Sequence, residues 1–461
     1  MTTIIELSYI LAASLFIIGL KYMSAPASAR RGNLIGAIGM LLAIVVTLLD
    51  RQIVSFTWII VGMVIGSAAG WASARYVKMT AMPQMVGLLN GFGGGASALV
   101  AVAEFLKLAK NPPLPMDSSI TIILGVFIGG ITLTGSFMAY AKLEGLVSGS
   151  PITFPLQKPL NAILILTILA LSVYLVGWTP NMLFFWIIVA ISLIYGVLFV
   201  LPIGGADMPV VISLLNSFSG LAACAAGFVV ENNVLIVSGS LVGAAGLILT
   251  QIMCKAMNRS LTNVLFSAFG TGDSAAGAAG STSDKTVRSV DSEEAAMVIG
   301  YAQTVIIVPG YGMAAAQAQH AVRELTELLQ GRGVEVKFAI HPVAGRMPGH
   351  MNVLLAEANV PYTLLHDMDD INPEFPHTDV VLVIGANDVV NPAARNDKSS
   401  PIYGMPILDV DKARNVIMMK RSLNPGFAGI ENELFYNPKT LMYFGSAKEK
   451  VQELVAQVKK L

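Results

Sequence analysis

Apolar residues come in long unbroken runs through the first half of this chain and in short alternating ones through the second. Runs at 4–21, 33–49, 56–74, 82–106, 120–140, 160–177, 182–201, 208–230 and 234–253 are each long enough, as helices, to cross roughly 30 Å of hydrocarbon. The pattern predicts nine transmembrane helices over a domain at 1–258. A Gly/Ala/Ser-rich stretch with linker composition follows at 259–290. From 291 to 461 the period changes. Strands are predicted at 304–308, 334–340, 362–366, 379–384, 406–410, 415–419 and 441–444, with helices near 313–330, 349–359 and 446–460. A further helix should start near Asp291, where Asp-Ser-Glu-Glu294 has capping-box character. That alternation reads as a Rossmann-like, doubly wound parallel α/β sheet.

Composition agrees with the division. Hydrophobic residues make up 54% and charged residues 13%, against about a quarter charged in soluble domains. The net charge of zero gives no footprint for nucleic acid. Cys224 and Cys254 both lie in apolar stretches, which argues against a disulfide framework or a metal site. Nine spans place the termini on opposite sides. Loops on the C-terminal side carry Lys21, Arg30, Arg31, Arg75, Lys78, Lys142, Lys158, Lys255 and Arg259; the other side carries Arg51, Lys107 and Lys110. The bias predicts a cytoplasmic C-terminal domain and an N-terminus outside. Small residues at Ala25-Pro-Ala27-Ser-Ala29 mimic a leader cleavage site, but the positive charges follow the first apolar run, as in a retained helix.

The membrane half repeats itself. Met82-Pro-Gln-Met-Val-Gly-Leu-Leu-Asn90-Gly-Phe-Gly-Gly matches Met208-Pro-Val-Val-Ile-Ser-Leu-Leu-Asn216-Ser-Phe-Ser-Gly. Both helices enter from the cytoplasmic side, and each Asn lies about 10 Å along its helix. Asn90 and Asn216 either join helices by hydrogen bonds or line a polar path, since intramembrane polar groups are costly. Asp207, in Gly204-Gly-Ala-Asp207-Met-Pro, stands at the mouth of the second copy, as a gate or a helix cap. All five histidines (His320, His341, His350, His366 and His377) belong to the second half, so no bis-histidine haem fits the membrane part. Protons or ions are the expected cargo.

The soluble half opens on Val305-Ile-Ile-Val-Pro-Gly310-Tyr-Gly312-Met-Ala-Ala315, a strand running into a G-x-G-x-x-A turn and a helix. This is the order a dinucleotide pyrophosphate needs, with glycines for close approach and a helix N-terminus for the charge. An NAD site would carry an acid after the second strand. Here Ile340-His341-Pro342 follows, while Arg346 and Lys420-Arg421-Ser422 supply cations. A missing acid beside a basic cluster suits a 2′-phosphate and predicts NADP(H).

Pro309-Gly-Tyr-Gly-Met-Ala, His341-Pro-Val-Ala-Gly-Arg346-Met-Pro-Gly-His-Met-Asn, Gly385-Ala-Asn387-Asp388, Lys420-Arg-Ser and Gly204-Gly-Ala-Asp207-Met-Pro together resemble the β subunit of proton-translocating NAD(P) transhydrogenases over the whole chain. The resemblance implies an enzyme passing hydride from NADH to NADP⁺, driven by protons moving inward across a bacterial inner membrane. It implies NADP(H) on this chain, in a reversed orientation on its sheet. An α subunit would bring the NAD(H) domain and further helices, in a dimer of αβ units. No side chain is catalytic, because hydride passes directly between cofactors, and no metal is expected. Nucleotide contacts would come from the turn at Gly310, Tyr311, Gly312, Met313 and Ala315, and from the loop Val343, Ala344, Gly345, Arg346, Met347 and Pro348. Others would come from Gly385, Ala386, Asn387, Asp388 and Val389, and from Gly404 and Met405. Lys420, Arg421, Ser422, Leu423, Asn424, Pro425, Gly426 and Phe427 would form a lid, with Ser446 and Ala447 beyond it.

Three positions depart from the family pattern. Phe427 replaces a lid tyrosine, Ser446 an aspartate, and Asn90 a membrane histidine found in many relatives. An amide does not titrate near neutral pH, so either a titratable group on a partner helix carries the proton, the favoured reading, or the path relies on water, Asn216 and Asp207. The membrane state is expected to reach Asp388 and the Phe427 lid through Asp207 and the linker. The rival reading is a channel or transporter whose nucleotide-binding domain only regulates it. That reading calls for an NAD-type acid, which is missing, and for no redox turnover. A reductase feeding haem or quinone is disfavoured by the absence of membrane histidines.

Overall fold

The computed structural model describes residues 2–24, 26–49, 56–78, 81–110, 115–149, 151–177, 181–204, 207–257, 260–266, 286–347, 349–398, 400, 402–426 and 428–461. They form two compact units, Met1–Gly205 with Val211–Thr250, and Ala206–Val210 with Gln251–Leu461. Pro348, Phe427, Arg259 and most of the 259–290 stretch lie outside the described residues.

Nine helices among the described residues have the length and apolarity of membrane spans, matching the nine runs. They are α1 Thr2–Met23, α2 Pro26–Leu48, α3 Thr57–Tyr76, α4 Met82–Leu108, α5 Met116–Glu144, α6 Gln157–Gly177, α7 Met182–Val200, α8 Met208–Val229 and α9 Asn233–Ala256. Small residues set the packing, because lipid offers no hydrophobic drive and close backbone approach must supply the attraction. Between α4 and α5, a Cβ on Gly129 would sit 2.6 Å from the Gly94 carbonyl oxygen. Polar side chains reach across as well. Ser217 Oγ donates to the Gly243 carbonyl at 2.6 Å, and Lys142 Nζ caps the end of α7 through the Leu201 and Ile203 carbonyls at 2.5 and 2.8 Å.

The repeat packs on itself. Ser219 Oγ lies 3.0 Å from where a Cβ on Gly93 would be, and these two positions correspond in the two copies of the motif. One turn earlier the copies diverge. Asn90 is buried, with Nδ2 donating to Ser136 Oγ at 3.3 Å, whereas Asn216 lies on an exposed face of α8.

In the second unit a short helix α10 (Leu261–Phe266) precedes β1 Arg288–Ser289, α11 Ser292–Gly300 and β2 Thr304–Pro309. There follow α12 Tyr311–Ala315, α13 Gln319–Gly331, β3 Glu335–Ile340, α14 His350–Glu357, β4 Leu365–Asp367, α15 Met368–Ile371, β5 Val380–Ile384, α16 Ala393–Asn396, β6 Asn415–Lys420, β7 Thr440–Phe444 and α17 Ala447–Val458. All seven strands are parallel, in the order β1-β7-β6-β5-β2-β3-β4. The central strands β2, β5 and β6 are buried almost end to end, as a sheet covered on both faces requires. Asp291 caps α11 by accepting from the Glu293 and Glu294 amides.

Three of the elements read from the pattern take another form, the first being the run at 362–366, which is a 3-10 turn over Tyr362–Leu364 before β4. The run at 406–410 is buried but forms no strand. Pro406 has no N–H to give a ladder, and its neighbours bond elsewhere: the Leu408 amide to the Val389 carbonyl, and the Ile407 carbonyl to Asn372 Nδ2. The helix read at 313–330 is two helices, parted where Gln317 turns left-handed with φ of 52°.

Candidate functional site

In this strand order the chain runs outward from β2 to β3 on one side and from β5 to β6 on the other. The crevice at the carboxyl ends of β2 and β5 is therefore the switch point where such sheets take ligands. Every described segment read from the sequence as nucleotide-binding leaves a strand at this end or, for Gly404 and Met405, follows β5.

The floor of the crevice is built backbone on backbone. The Gly310 amide donates to the Ile384 carbonyl and the Gly312 amide to the Gly385 carbonyl, each at 2.9 Å. A Cβ on Gly310 would lie 2.4 Å from the Ala386 nitrogen and Cα. These glycines thus seat the first turn against the β5 loop, where Gly385 takes the left-handed φ of 65° that favours glycine. The sequence reading had them approaching a pyrophosphate. Here both of their amides bond to the end of β5 and the residue after it, so the close approach leaves these two N–H groups paired within the protein.

Cations stand on the neighbouring loops. The Arg346 guanidinium stacks over the Tyr311 ring, 4.3 Å from its centroid. Lys420 Nζ donates to the Asn424 carbonyl at 2.8 Å and lies 4.6 Å from the centre of the Phe435 ring. Burial pushes the Lys420 ammonium down to about 8, against the pull of Asp388 in the other direction. Arg421, Ser422 and Asn424 are exposed beside it.

The segment after Lys420 is tied to the β5 loop. Asp388 Oδ2 accepts the Ala428 amide at 3.0 Å, and a Cβ on Gly426 would fall 2.6 Å from Asp388 Oδ1. Asn432 Nδ2 donates to both the carbonyl and Oδ1 of Asn387 at 3.1 Å. That bond fixes the Asn387 amide, whose buried Nδ2 finds no acceptor among the described residues. Asn391 Nδ2 holds the Glu431 carbonyl at 3.0 Å. Sequence reasoning missed Asn391 and Asn432, both fully buried. Sequence offered no signal for Asn432, which stands between Glu431 and Glu433, and for Asn391 only an amide after two valines.

His341 and His350 are buried beside the Val343–Met347 loop. Burial drops His341 to about 4, partly opposed by its bond to the Pro406 carbonyl; burial and then the Arg346 charge drop His350 to about 4. The unfolded chain, with histidine near 6.5, binds more protons than the folded one between these values. Stability is therefore full above about pH 6.5 and falls toward pH 4, by up to about 3 kcal/mol per ring. Denaturant unfolding of the soluble half across that range should show the loss, and a His341→Asn, His350→Asn double variant should show less of it. Equal slopes in the two proteins would contradict this assignment.

A model of the NAD(P) transhydrogenase beta subunit family matches residues 5–457. This chain belongs to the NAD(P) transhydrogenase beta-subunit family. Two curated relatives, each an NAD(P) transhydrogenase subunit beta, come from Rhodospirillum rubrum and from a designated strain of that species. Each is 50% identical over 453 residues, covering 97% of this chain and 97% of its own. Membership makes this a membrane-embedded subunit of an oxidoreductase. In this member of the family the described residues form nine apolar helices followed by the parallel sheet.

Proposed function

We propose that this chain binds NADP(H) at the β2/β5 crevice and couples hydride transfer between NADH and NADP⁺ to inward proton movement. The observation that carries the binding reading is the donor set. Arg346, Lys420 and Arg421 stand with the buried, acceptor-less Asn387 Nδ2 around loops with no carboxylate where an NAD site keeps one. An anionic ligand would satisfy these donors, and a third phosphate suits the excess of cations. NADP(H), when bound, supplies the reacting nicotinamide and so the hydride chemistry.

The chain's own part is to bind, orient and gate. Arg346 and the Lys420–Ser422 segment hold phosphate charge. Asp388 holds the lid segment through the Ala428 amide, so a change at Asp388 would change lid closure. The reading extends to the remaining residues of the loops named from the sequence, with Pro348 and Phe427 among them. Since the described residues form one such crevice, we place NAD(H) on an α subunit, and both in a dimer of αβ units. The cytoplasmic face of a bacterial inner membrane fits the positive-charge bias, with the N-terminus outside.

Proton movement requires two membrane states that differ in NADP(H) affinity. Asp207 is buried immediately before α8, at the mouth of the second copy of the repeat, and we take it as the point where the states communicate. Asn90 and Asn216 would flank the path without titrating, leaving the proton to a partner helix. The test is uncoupler sensitivity of NADH-to-NADP⁺ turnover in vesicles holding both subunits. Turnover indifferent to uncoupler would remove the coupling claim.

A further inference from the structure

Two histidines outside the site as read from the sequence grip the loop that carries Arg346. His350, at the start of α14, is fully buried, and its Nδ1 accepts the Arg346 amide at 3.1 Å. The ring fills the space beside Gly345, where a Cβ would lie 2.4 Å from Nδ1 and where φ is 107°. Accepting at Nδ1 puts the ring proton on Nε2. That nitrogen is buried and meets no acceptor among the described residues. A buried donor without an acceptor is costly. A leucine would fill the space without that cost, so filling space is not what the ring is for. The bond at Nδ1 is.

His341 does the same from the other end of the loop. Its Nδ1 accepts the Val343 amide at 3.3 Å, and its Nε2 lies 2.9 Å from the Pro406 carbonyl, next to Gly404 and Met405. The ring is buried. With Nδ1 accepting, Nε2 donates, and the β3 loop is tied to the segment that follows the β5 loop.

We infer that His350 and His341 are positioning residues of the nucleotide site. As neutral imidazoles they hold the Val343–Arg346 backbone in the shape that sets the Arg346 guanidinium over Tyr311, facing the phosphates. The role rests on the NADP(H) reading above. Neither ring needs to touch the ligand. Each acts through a backbone amide, and the nucleotide reads the result through Arg346.

The test uses intact enzyme, this chain with its NAD(H)-binding partner, and compares His350→Asn with His350→Leu. Asparagine keeps an acceptor at the δ position, while leucine keeps the volume without it. The expected result is that His350→Leu raises the KM for NADP⁺ about tenfold, a typical loss for one bond to a charged or functional group. His350→Asn should stay within about threefold of wild type, and the KM for NADH, read on the partner, should stay the same in both. As a second pair, His341→Gln keeps a donor for Pro406 and His341→Asn keeps an acceptor for Val343; each should lose part of the NADP⁺ affinity. Equal KM values in His350→Asn and His350→Leu, whether both normal or both raised, would overturn the positioning role. So would a rise in the KM for NADH matching that for NADP⁺. A wild-type enzyme that does not saturate with NADP⁺ would instead overturn the underlying NADP(H) reading.

Discussion

Gly310→Ala is expected to lower the melting temperature of the soluble half by roughly 10 °C and to abolish NADP⁺-dependent turnover. The new Cβ would lie 2.4 Å from the Ala386 backbone and 2.5 Å from the Gly385 carbonyl, and neither is the yielding end of a side chain. One of the two turns must move, breaking the amide bonds from Gly310 to Ile384 and from Gly312 to Gly385. Overpacking of about 1–3 kcal/mol and two lost hydrogen bonds of about 1 kcal/mol each give about 3–5 kcal/mol. At about 2–4 °C per kcal/mol for a domain of this size, the shift follows. Gly331→Ala supplies the control, because nothing lies within 4 Å of its added Cβ. Thermal unfolding with and without NADP⁺ reads both variants. A Gly310→Ala protein that melts with wild type would show that the two turns do not depend on each other.

The second large effect concerns charge. Lys420→Met combined with Arg421→Met is expected to weaken NADP⁺ binding by about 10²-fold or more, since each charge-assisted bond contributes about 1.5–3 kcal/mol. The KM for NADH should stay where it is. Lys420 adds a pH signature. With its ammonium pushed down to about 8 by burial, the free site loses a positive charge as pH rises through that value. Affinity for NADP⁺ is therefore full below about pH 8 and declines above it. Lys420→Arg should flatten that decline, because a guanidinium stays protonated. Titration of NADP⁺ affinity from pH 7 to 9.5 in wild type and Lys420→Arg decides the point, and parallel curves would rule out Lys420 as the source.

Much of this architecture was legible because it rests on periodicity. Nine apolar runs became nine helices of spanning length among the described residues, and six of the seven parallel strands overlap runs read as strands. β1, only Arg288–Ser289, is too short and too exposed to show a pattern. The run at 406–410 misled because burial alone looks like a strand, while Pro406 and the bonds to Val389 and Asn372 make it a packed loop. The site was legible as loops but not as contacts. Glycine spacing placed Gly310 and Gly312 at the turn, yet only the fold shows their amides spent on β5. His341, His350 and Asn391 lie within a few residues of the loops they support, but sequence shows neither their burial nor which backbone groups they hold. In the membrane, the repeat brought Gly93 and Ser219 together as its symmetry suggests, but burial of Asn90 and exposure of Asn216 depend on the neighbours each copy meets.

Coupling of hydride transfer to proton movement is the central claim. It is tested most directly in sealed vesicles holding this chain and its NAD(H)-binding partner, with NADH reducing an NADP⁺ analogue while proton flux is recorded. The account predicts inward flux in step with turnover, faster turnover under an imposed inward proton gradient, and loss of that stimulation on adding uncoupler. Turnover with no proton flux, at a rate that neither gradient nor uncoupler changes, would contradict it.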